Sequence, residues 1–458
     1  MRFPVSIQYS DTNETLEIQD HKMVFQLGDT LNKLNNYDSA VAVNFIPWIQ
    51  SSPNTPISTY GSRLQNGQVP SKADVAANET LGGTARLYND PDAAQAAEDD
   101  FSDFVNLDRD KIKSLASNVY QAHKQAIADG MFHFSEASYL RYQLGLDNNL
   151  TDYVAGSDDD PLWSSSLYEN VYFGATTWRT IDKGLESLPR AYMPLVKDKL
   201  TFGRKISGLS WNATTDKILV NWHNNGSLSM TPDGSEEYDY AVVAAPFTKV
   251  RSWYPMPQYS SALSRAISTM NYQQSCKVSL MYKTRFWESL DPPIIGGCGS
   301  TDIPGIGSIC YPSYNVNGPG PGVILASYSS GTPCRSNGAL SEADHVASVQ
   351  RAMVEVHGPV AADQYTGIYN RQIWEFDEHQ AGAWAAPTVG QQDLYLPSYY
   401  QTEFKTIFIG EHTSYTHAWI FSALDSAVRG TVQLLLDLGL VDEAKQITSE
   451  WMGRWISI

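Results

Sequence analysis

The amino-acid sequence predicts a mixed α/β (α+β) fold in more than one domain. A chain of 458 residues is too long for one small core and should divide into two or three domains. Strand-like runs lie on both sides of a helical block at 88–145. A short apolar strand at 237–245 and a strand–turn–helix at 406–439 indicate one α/β layer that a long insertion interrupts.

The N-terminal third changes from strand-like to helical patterns. Apolar and polar residues alternate in VSIQYS (5–10), HKMVFQL (21–27) and AVAVNFIPWI (40–49), which predicts strands. Residues 51–75 are rich in Ser, Pro, Gly and Asn and indicate a loop or linker. Apolar spacings of three and four residues then predict helices up to about residue 145.

Strands return in the second half of the chain. Residues 201–230 predict two or three β segments with Asn/Gly turns, and YDYAVVAAP (238–246) predicts a short strand buried inside a sheet. Residues 260–400 mix strands such as GVILASYSS with helices such as SEADHVASVQRAMVEVHG. The chain then has the strand TIFIGEH and a long helix with apolar residues at helical spacing.

The charge balance excludes two classes of partner. The sequence has 50 acidic against 32 basic residues and a formal net charge of −18. This charge disfavours nucleic acid and anionic membrane surfaces, which would repel the chain. No apolar run reaches the roughly 20 residues of a membrane helix, and the first residues lack a signal-peptide pattern.

Cysteines and sequons leave the compartment open between secreted and cytoplasmic. The four cysteines show no CxxC pairing and predict neither a zinc site nor a dense disulfide framework. They are Cys276, Cys298, Cys310 and Cys334. Five N-x-S/T sequons are only mildly above chance. They begin at Asn13, Asn78, Asn149, Asn212 and Asn225.

The strongest local motif is FIGEHTSYTHAWIFSALDSAVRG, residues 408–430. A predicted strand ends at Gly410, Glu411 follows, and a helix begins near Ala418 and Trp419. Such a turn directs backbone N–H groups at an anion or electron-rich ring near the helix N-terminus. An ordinary βα turn with a buried Trp is the alternative interpretation.

This motif resembles the C-terminal FAD-binding signature of the flavin amine oxidase family, in which G-E-x-T precedes G/A-W and a helix. The similarity extends over essentially the whole chain and favours the L-amino-acid oxidase branch, of fungal or bacterial type. The resemblance implies FAD as cofactor, an FAD-linked amine-oxidase fold, and cofactor contacts from Gly410, Glu411, Ala418, Trp419 and Ile420. Glu411 would bind a ribityl or ribose hydroxyl, and Ala418 and Trp419 would also border the substrate.

The resemblance also gives a chemical role to a lysine in SCKVSLMYKTRFW. The family pattern K-x-x-L followed by a basic-Phe-Trp segment matches here, and its lysine holds a water at flavin N5. Lys277 therefore becomes the predicted catalytic residue. From the residues alone, a lysine at this place in a strand more often marks an edge or an end.

Two further segments match the family's carboxylate clamp. Tyr328 occupies a Y-x-x-G position, and Met1–Pro4 spells M-R-x-P with Arg2 as its arginine. An arginine fork and a phenol together hold an α-carboxylate, which a simple amine substrate lacks. Without the resemblance, Tyr328 would be a plain strand aromatic and Arg2 a solvated side chain.

The predicted pocket wall consists of Glu169, Phe173 and Trp384. Glu169 and Phe173 are four residues apart and share one face of a helix, and by family position Trp384 lies opposite. An acid there suits a basic substrate such as L-Lys or L-Arg, although Glu169 could simply be solvated. His412 and His417 lie near the predicted flavin without further ligands at metal spacing, so no metal site is predicted.

The G-x-G-x-x-G fingerprint of a dinucleotide-binding unit is absent from the sequence. The expected fold therefore has an incomplete dinucleotide-binding domain, a substrate domain and a helical insertion. We expect a fragment or truncated form, or a missing N-terminal unit that a neighbouring chain supplies, with a homo-oligomer as one arrangement. The expected divisions are substrate-domain parts at 1–75 and 251–404, a helical domain at 76–165, and FAD-domain parts at 166–250 and 405–458.

The predicted activity is FAD-dependent oxidative deamination of an L-amino acid by O₂. Its products are a 2-oxo acid, ammonia and hydrogen peroxide. Two alternatives stay open from the sequence. One is a cofactor-deficient remnant or partner chain without oxidase activity, and the other is an amine or polyamine oxidase.

Overall fold

The computed structural model describes residues 2–83, 90–156 and 160–452 and shows a mixed helix and sheet architecture. Met1 of the M-R-x-P segment and the first two residues of the predicted helical block lie outside the described residues. In the described ranges the strands are β1 (Phe3–Gln8), β2 (Thr15–Glu17), β3 (Phe45–Trp48), β4 (Thr177–Ile181), β5 (Arg204–Asn212), β6 (Lys217–Asn224), β7 (Gly234–Tyr238), β8 (Ala241–Val243), β9 (Tyr272–Gln273), β10 (Ser275–Tyr282), β11 (Cys298–Ser300), β12 (Ser308–Cys310), β13 (Gly322–Ser330), β14 (Tyr365–Ile373), β15 (Trp384–Ala385) and β16 (Thr406–Phe408).

The longest run of α-helices in the same ranges lies between β3 and β4, and shorter runs lie between β13 and β14 and after β16. The helices are α1 (Lys22–Leu34), α2 (Lys72–Ala77), α3 (Pro91–Val105), α4 (Arg109–Ser117), α5 (Val119–Ala128), α6 (Glu136–Tyr142), α7 (Asn148–Ala155), α8 (Glu169–Phe173), α9 (Ser187–Val196), α10 (Phe247–Val250), α11 (Ser261–Thr269), α12 (Gly331–Gly338), α13 (Glu342–His357), α14 (Val360–Gln364), α15 (Gln391–Tyr395), α16 (Ile420–Asp437) and α17 (Val441–Met452). No helix in the described residues is long and apolar enough to cross a membrane.

Two antiparallel sheets position most of the candidate site. The first has the order β2-β1-β4-β3, and Phe3 pairs with Arg179, so Arg2 directly precedes β1 on the side of β4. The second has the order β11-β12-β13-β10-β14. In this sheet β10 lies between β13 and β14, and the register of the β10–β13 pair sets Lys277 directly opposite Tyr328.

A short parallel pair forms the α/β element at the C-terminal end. Strand β16 pairs with β8, with Ile407 opposite Val242, and helix α16 follows. The strand was expected to be buried inside a sheet, but the Val242 side chain is 46% exposed. The buried-strand prediction was wrong at this residue because, in the described chain, β8 has only β16 as a strand neighbour.

Most predicted elements of the chain are confirmed, but one N-terminal strand is wrong. The helical block contains α3 to α6, residues 201–230 form β5 and β6, and the last motif forms β16 and α16. The segment HKMVFQL, however, begins helix α1. Its buried residues Met23, Val24, Leu27 and Leu31 follow the spacing of one helical face, which a seven-residue window cannot distinguish from alternation.

A disulfide joins Cys298 to Cys310 across the β11–β12 pair. The sequence did not predict this bridge, because the spacing of the four cysteines matched no framework. Cys276 and Cys334 are free and buried. The division of the chain into domains stays a prediction.

Candidate active site

The turn after β16 is tight and anchored to helix α16. Gly410 has a φ of 121°, and a Cβ at this position would lie 2.5 Å from Cε1 of His412. The Gly410 N–H donates to Oγ of Ser426 at 2.8 Å. Because a residue with a Cβ is strained at this φ, glycine is needed at position 410 for the backbone to pass close to the His412 ring.

Glu411 anchors this turn through a buried carboxylate. Its two oxygens accept hydrogen bonds from the backbone N–H groups of Ala385 at 2.7 Å and Ala418 at 3.2 Å. Burial opposes ionisation, but the contact with His417 and the Ala385 N–H hold the pKa of Glu411 below its ordinary value. Glu411 is thus an ionised acid that ties β15 to the start of α16, with Ala418 at a positive φ of 67°.

Trp419 caps helix α16, directly before Ile420, and forms an aromatic wall. Its ring centroid lies 5.7 Å from Phe173, 5.2 Å from Tyr172 and 5.0 Å from His21. The structure therefore brings together two residues of the predicted pocket, Trp419 and Phe173, although they are far apart in sequence.

Arg2 lies against the same aromatic group. Its guanidinium carbon is 5.8 Å from the Phe173 centroid and 5.7 Å from the Trp178 centroid. Burial lowers the pKa of Arg2, and the neighbouring Tyr328 partly opposes this shift. Nε of Arg2 has no hydrogen-bond partner among the described residues. A buried guanidinium with a free donor is suited to binding a carboxylate.

Lys277 lies beside Arg2 on the neighbouring sheet. Its Nζ is 5.0 Å from the Tyr328 centroid and 5.5 Å from the Trp374 centroid. Burial, and then the positive charge of Arg2, lowers the pKa of Lys277. The structure thus assembles Arg2, Lys277 and Tyr328 as two cations and a phenol at one place.

Glu169 and Trp384, the other predicted wall residues, have fewer contacts with Phe173 and Trp419. Glu169 is half-buried and begins α8, one turn before Phe173. Trp384 is in β15, and its neighbour Ala385 binds Glu411. In the described residues Phe173 and Trp419 form a ring contact with each other, whereas no ring contact joins Trp384 to either of them.

Sequence reasoning missed several buried polar residues around the turn. Arg429 donates from Nη2 to the Phe408 carbonyl at 2.9 Å and to Oγ1 of Thr413 at 2.7 Å. Asp425 precedes it by four residues on the buried face of α16. This spacing of an acid and an arginine on an apolar helix face was a usable signal. Asp20, at the start of α1, had no motif to mark it.

The described residues fit the flavin end of the predicted cofactor. Around the turn, several buried nitrogens have no partner among the described residues. They are Nδ1 and Nε2 of His21, Nε2 of His412 and Nε of Arg429. Buried polar atoms are normally satisfied. A polar heteroaromatic ring that carries both acceptors and an N–H donor would provide the missing partners, because the neutral His21 ring has one donor and one acceptor nitrogen. The ionised Glu411 would suit a hydroxyl.

Comparison with known proteins identifies the family of the chain. A family model described as flavin containing amine oxidoreductase matches residues 59–435. An L-amino-acid oxidase of Neurospora crassa is 43% identical over 472 residues, covering 100% of this chain and 66% of that protein. An L-amino-acid oxidase of Siganus canaliculatus is 26% identical, covering 67% of this chain and 59% of that protein. The chain thus spans less than two thirds of the length of these relatives.

Solved structures confirm the predicted amine-oxidase fold. Wild-type putrescine oxidase bound to putrescine has a TM-score of 0.60 at 15% identity, covering 95% of this chain and 90% of that one. Cyclohexylamine oxidase of Brevibacterium oxydans has a TM-score of 0.56 at 12% identity, covering 96% and 91%. The family match supports FAD as the cofactor. The chain belongs to the flavin-containing amine oxidoreductase family.

Proposed function

We propose that the protein is an FAD-dependent L-amino-acid oxidase. It would convert an L-amino acid, water and O₂ to a 2-oxo acid, ammonia and hydrogen peroxide. The observation that carries this proposal is the meeting of Arg2, Tyr328 and Lys277 beside Phe173 and Trp419. The 43% identity with the Neurospora crassa L-amino-acid oxidase supports the same activity.

Arg2 and Tyr328 would bind the α-carboxylate of the substrate. The guanidinium is buried against two aromatic faces and keeps a free Nε, so it can replace the water around a carboxylate. Lys277 lies close enough for the positive charge of Arg2 to lower its pKa further, after the larger effect of burial. An amine substrate has no group for such a site, which favours an amino acid over an amine.

The flavin would lie against the Gly410–Ile420 turn. When bound, FAD supplies the two-electron acceptor that oxidises the amino acid, and O₂ takes up those electrons to give hydrogen peroxide. Gly410, Ala418, Trp419 and Ile420 would provide the backbone and ring surface, and Glu411 would accept a sugar-alcohol hydroxyl. The Lys277 ammonium would hold a water and a proton near the reacting atoms.

The substrate side chain would extend toward Phe173, with Glu169 one helical turn away. We propose a preference for L-Lys or L-Arg, because the half-buried Glu169 carboxylate would attract a cationic side chain. Trp384 would close the pocket from the side of β15. The rates for L-Lys, L-Arg, L-Leu and L-Phe test this preference, and faster turnover of the two neutral substrates contradicts it.

An absorption spectrum of the purified protein tests the cofactor and the activity together. We expect flavin bands near the wavelengths of free FAD, and we expect an L-amino acid to bleach these bands under anaerobic conditions. A protein that binds no added FAD and releases no peroxide would reject the proposal and favour a remnant without oxidase activity.

A further inference from the structure

A hydrogen-bonded group lies behind Trp419 and has no part in the proposed carboxylate clamp. Asp20 and His21 directly precede helix α1 and are 2% and 0% exposed. Tyr172 belongs to α8 and is 1% exposed. These residues connect the start of α1 with the helix that carries Phe173.

Both oxygens of the Asp20 carboxyl group have fixed partners. The Tyr172 hydroxyl donates to Oδ2, and the His21 backbone N–H donates to Oδ1 at 2.8 Å. Burial raises the pKa of Asp20 to about 7, although both hydrogen bonds act in the opposite direction. A group that carries a proton below neutrality can stay buried without the cost of a buried charge.

The partners of Asp20 form two walls around the Trp419 indole. The His21 ring meets Trp419 at 86° and Tyr172 at 90°, and Tyr172 meets Trp419 at 80°. Burial lowers the pKa of His21 to about 3, so this ring is neutral and packs as an aromatic one. Three edge-to-face contacts thus close a triangle in which each ring fixes the others.

We propose that Asp20 is a positioning residue for Trp419. By holding the Tyr172 hydroxyl and the His21 main chain, it fixes the two rings that determine the orientation of the indole. The inference rests on the proposed function, in which Trp419 borders both flavin and substrate. A displacement of such a wall by a fraction of an ångström lowers the rate of a positioned reaction.

The activities of four variants of the FAD-loaded protein test this proposal. We expect Tyr172→Phe and Asp20→Ala to lower kcat/KM for the best L-amino acid about tenfold. Asp20→Asn keeps the shape and both hydrogen bonds, since the amide can donate to the phenol oxygen, and should stay within about twofold of wild type. Tyr311→Phe is the matched control, because it removes another buried hydroxyl, which bonds Nε2 of His357 at 2.9 Å in a different core.

A second measurement does not depend on oxidase activity. With 5-fluorotryptophan incorporated, the ¹⁹F resonance that disappears in Trp419→Phe belongs to Trp419. We expect this resonance to shift or broaden in Tyr172→Phe and Asp20→Ala, and to stay in place in Asp20→Asn and Tyr311→Phe.

The outcomes separate the two proposals. If the resonance moves as expected but wild type shows no oxidase activity, the proposed function fails and the positioning role stands. If wild type is active while the resonance and kcat/KM of Tyr172→Phe and Asp20→Ala match those of Tyr311→Phe, the positioning role is overturned. A loss of activity in Asp20→Asn equal to that in Asp20→Ala would also overturn it.

Discussion

At the scale of single residues, the protein contains two buried acids whose proton affinity is raised. Burial raises the pKa of both Asp20 and Asp425 to about 7, against about 3.8 in an unfolded chain. Groups with a raised folded-state pKa stabilise the fold fully below about pH 4, and this stabilisation is lost as the pH rises through 7. The contribution of such a group is at most on the order of 4 kcal/mol.

We therefore expect the melting temperature of the protein to fall between about pH 4 and pH 7. Asp20→Asn should flatten part of this slope, because the amide does not titrate. Asp216→Asn is the control: hydrogen bonds from Lys405 and Trp211 lower the pKa of this exposed acid, so its contribution changes only in acid. A slope that is identical in wild type and Asp20→Asn would contradict the assignment.

Lys277 and Arg2 are expected to differ in their effects on turnover and binding. Lys277→Met removes the ammonium that would hold water and a proton near the reacting atoms, and should lower kcat on the order of 10²-fold. Because Arg2 stays in place, the dissociation constant of a carboxylate inhibitor such as benzoate should change less than about threefold.

Lys283→Met is the matched control for this experiment. Lys283 follows the same strand, and its Nζ donates to the Asp363 carbonyl at 2.7 Å in an exposed position. Equal loss of kcat in the two lysine variants would contradict a chemical role for Lys277.

At the scale of elements, the β16–α16 turn is the part of the fold that we propose lies against the cofactor. Gly410→Ala should destabilise the protein by about 2 to 4 kcal/mol, since the new methyl group meets the His412 ring at an unfavourable φ. Gly439 has a φ of 75°, and a Cβ added there would meet no atom of the described residues within 4 Å. Gly439→Ala should therefore lower the stability only through the unfavourable φ, without a steric clash.

Thermal melting with and without added FAD compares these two glycine variants. We expect Gly410→Ala to lose both stability and the increase in melting temperature that FAD produces. Gly439→Ala should keep that increase. The same FAD-dependent increase in both variants would show that the turn does not contact the cofactor.

Elements were predictable where their pattern was long, and less so where it was short. The eighteen residues of α16 and the nine of β13 repeat their periods several times, so the sequence located both. The segment HKMVFQL gave one ambiguous window, and the helix emerges only when Leu31 is included. Strand β8 was located but not its exposure, which depends on a neighbouring strand and not on the strand itself.

At the scale of the whole molecule, the candidate site is assembled from distant parts of the chain. Arg2 directly precedes β1, Lys277 lies in β10 and Tyr328 lies in β13. Motif resemblance identified each residue singly, and the sheet register explains why Lys277 and Tyr328 meet. The Asp20–Tyr172 contact joins residues 152 apart in sequence, and no local pattern could have predicted it.

We propose that Arg2 binds the α-carboxylate of an L-amino acid in a flavin-dependent oxidase. Peroxide release gives kcat/KM for an L-amino acid and for the amine that its decarboxylation would give. The ratio of these two values, compared between wild type and Arg2→Ala, tests this role of Arg2. Arg190→Ala, at an exposed helix ion pair, is the control. We expect a wild-type ratio of at least about 10², and a collapse of this ratio in Arg2→Ala because only amino-acid turnover falls. A wild type that prefers the amine, or a ratio that Arg2→Ala leaves unchanged, would contradict the carboxylate clamp.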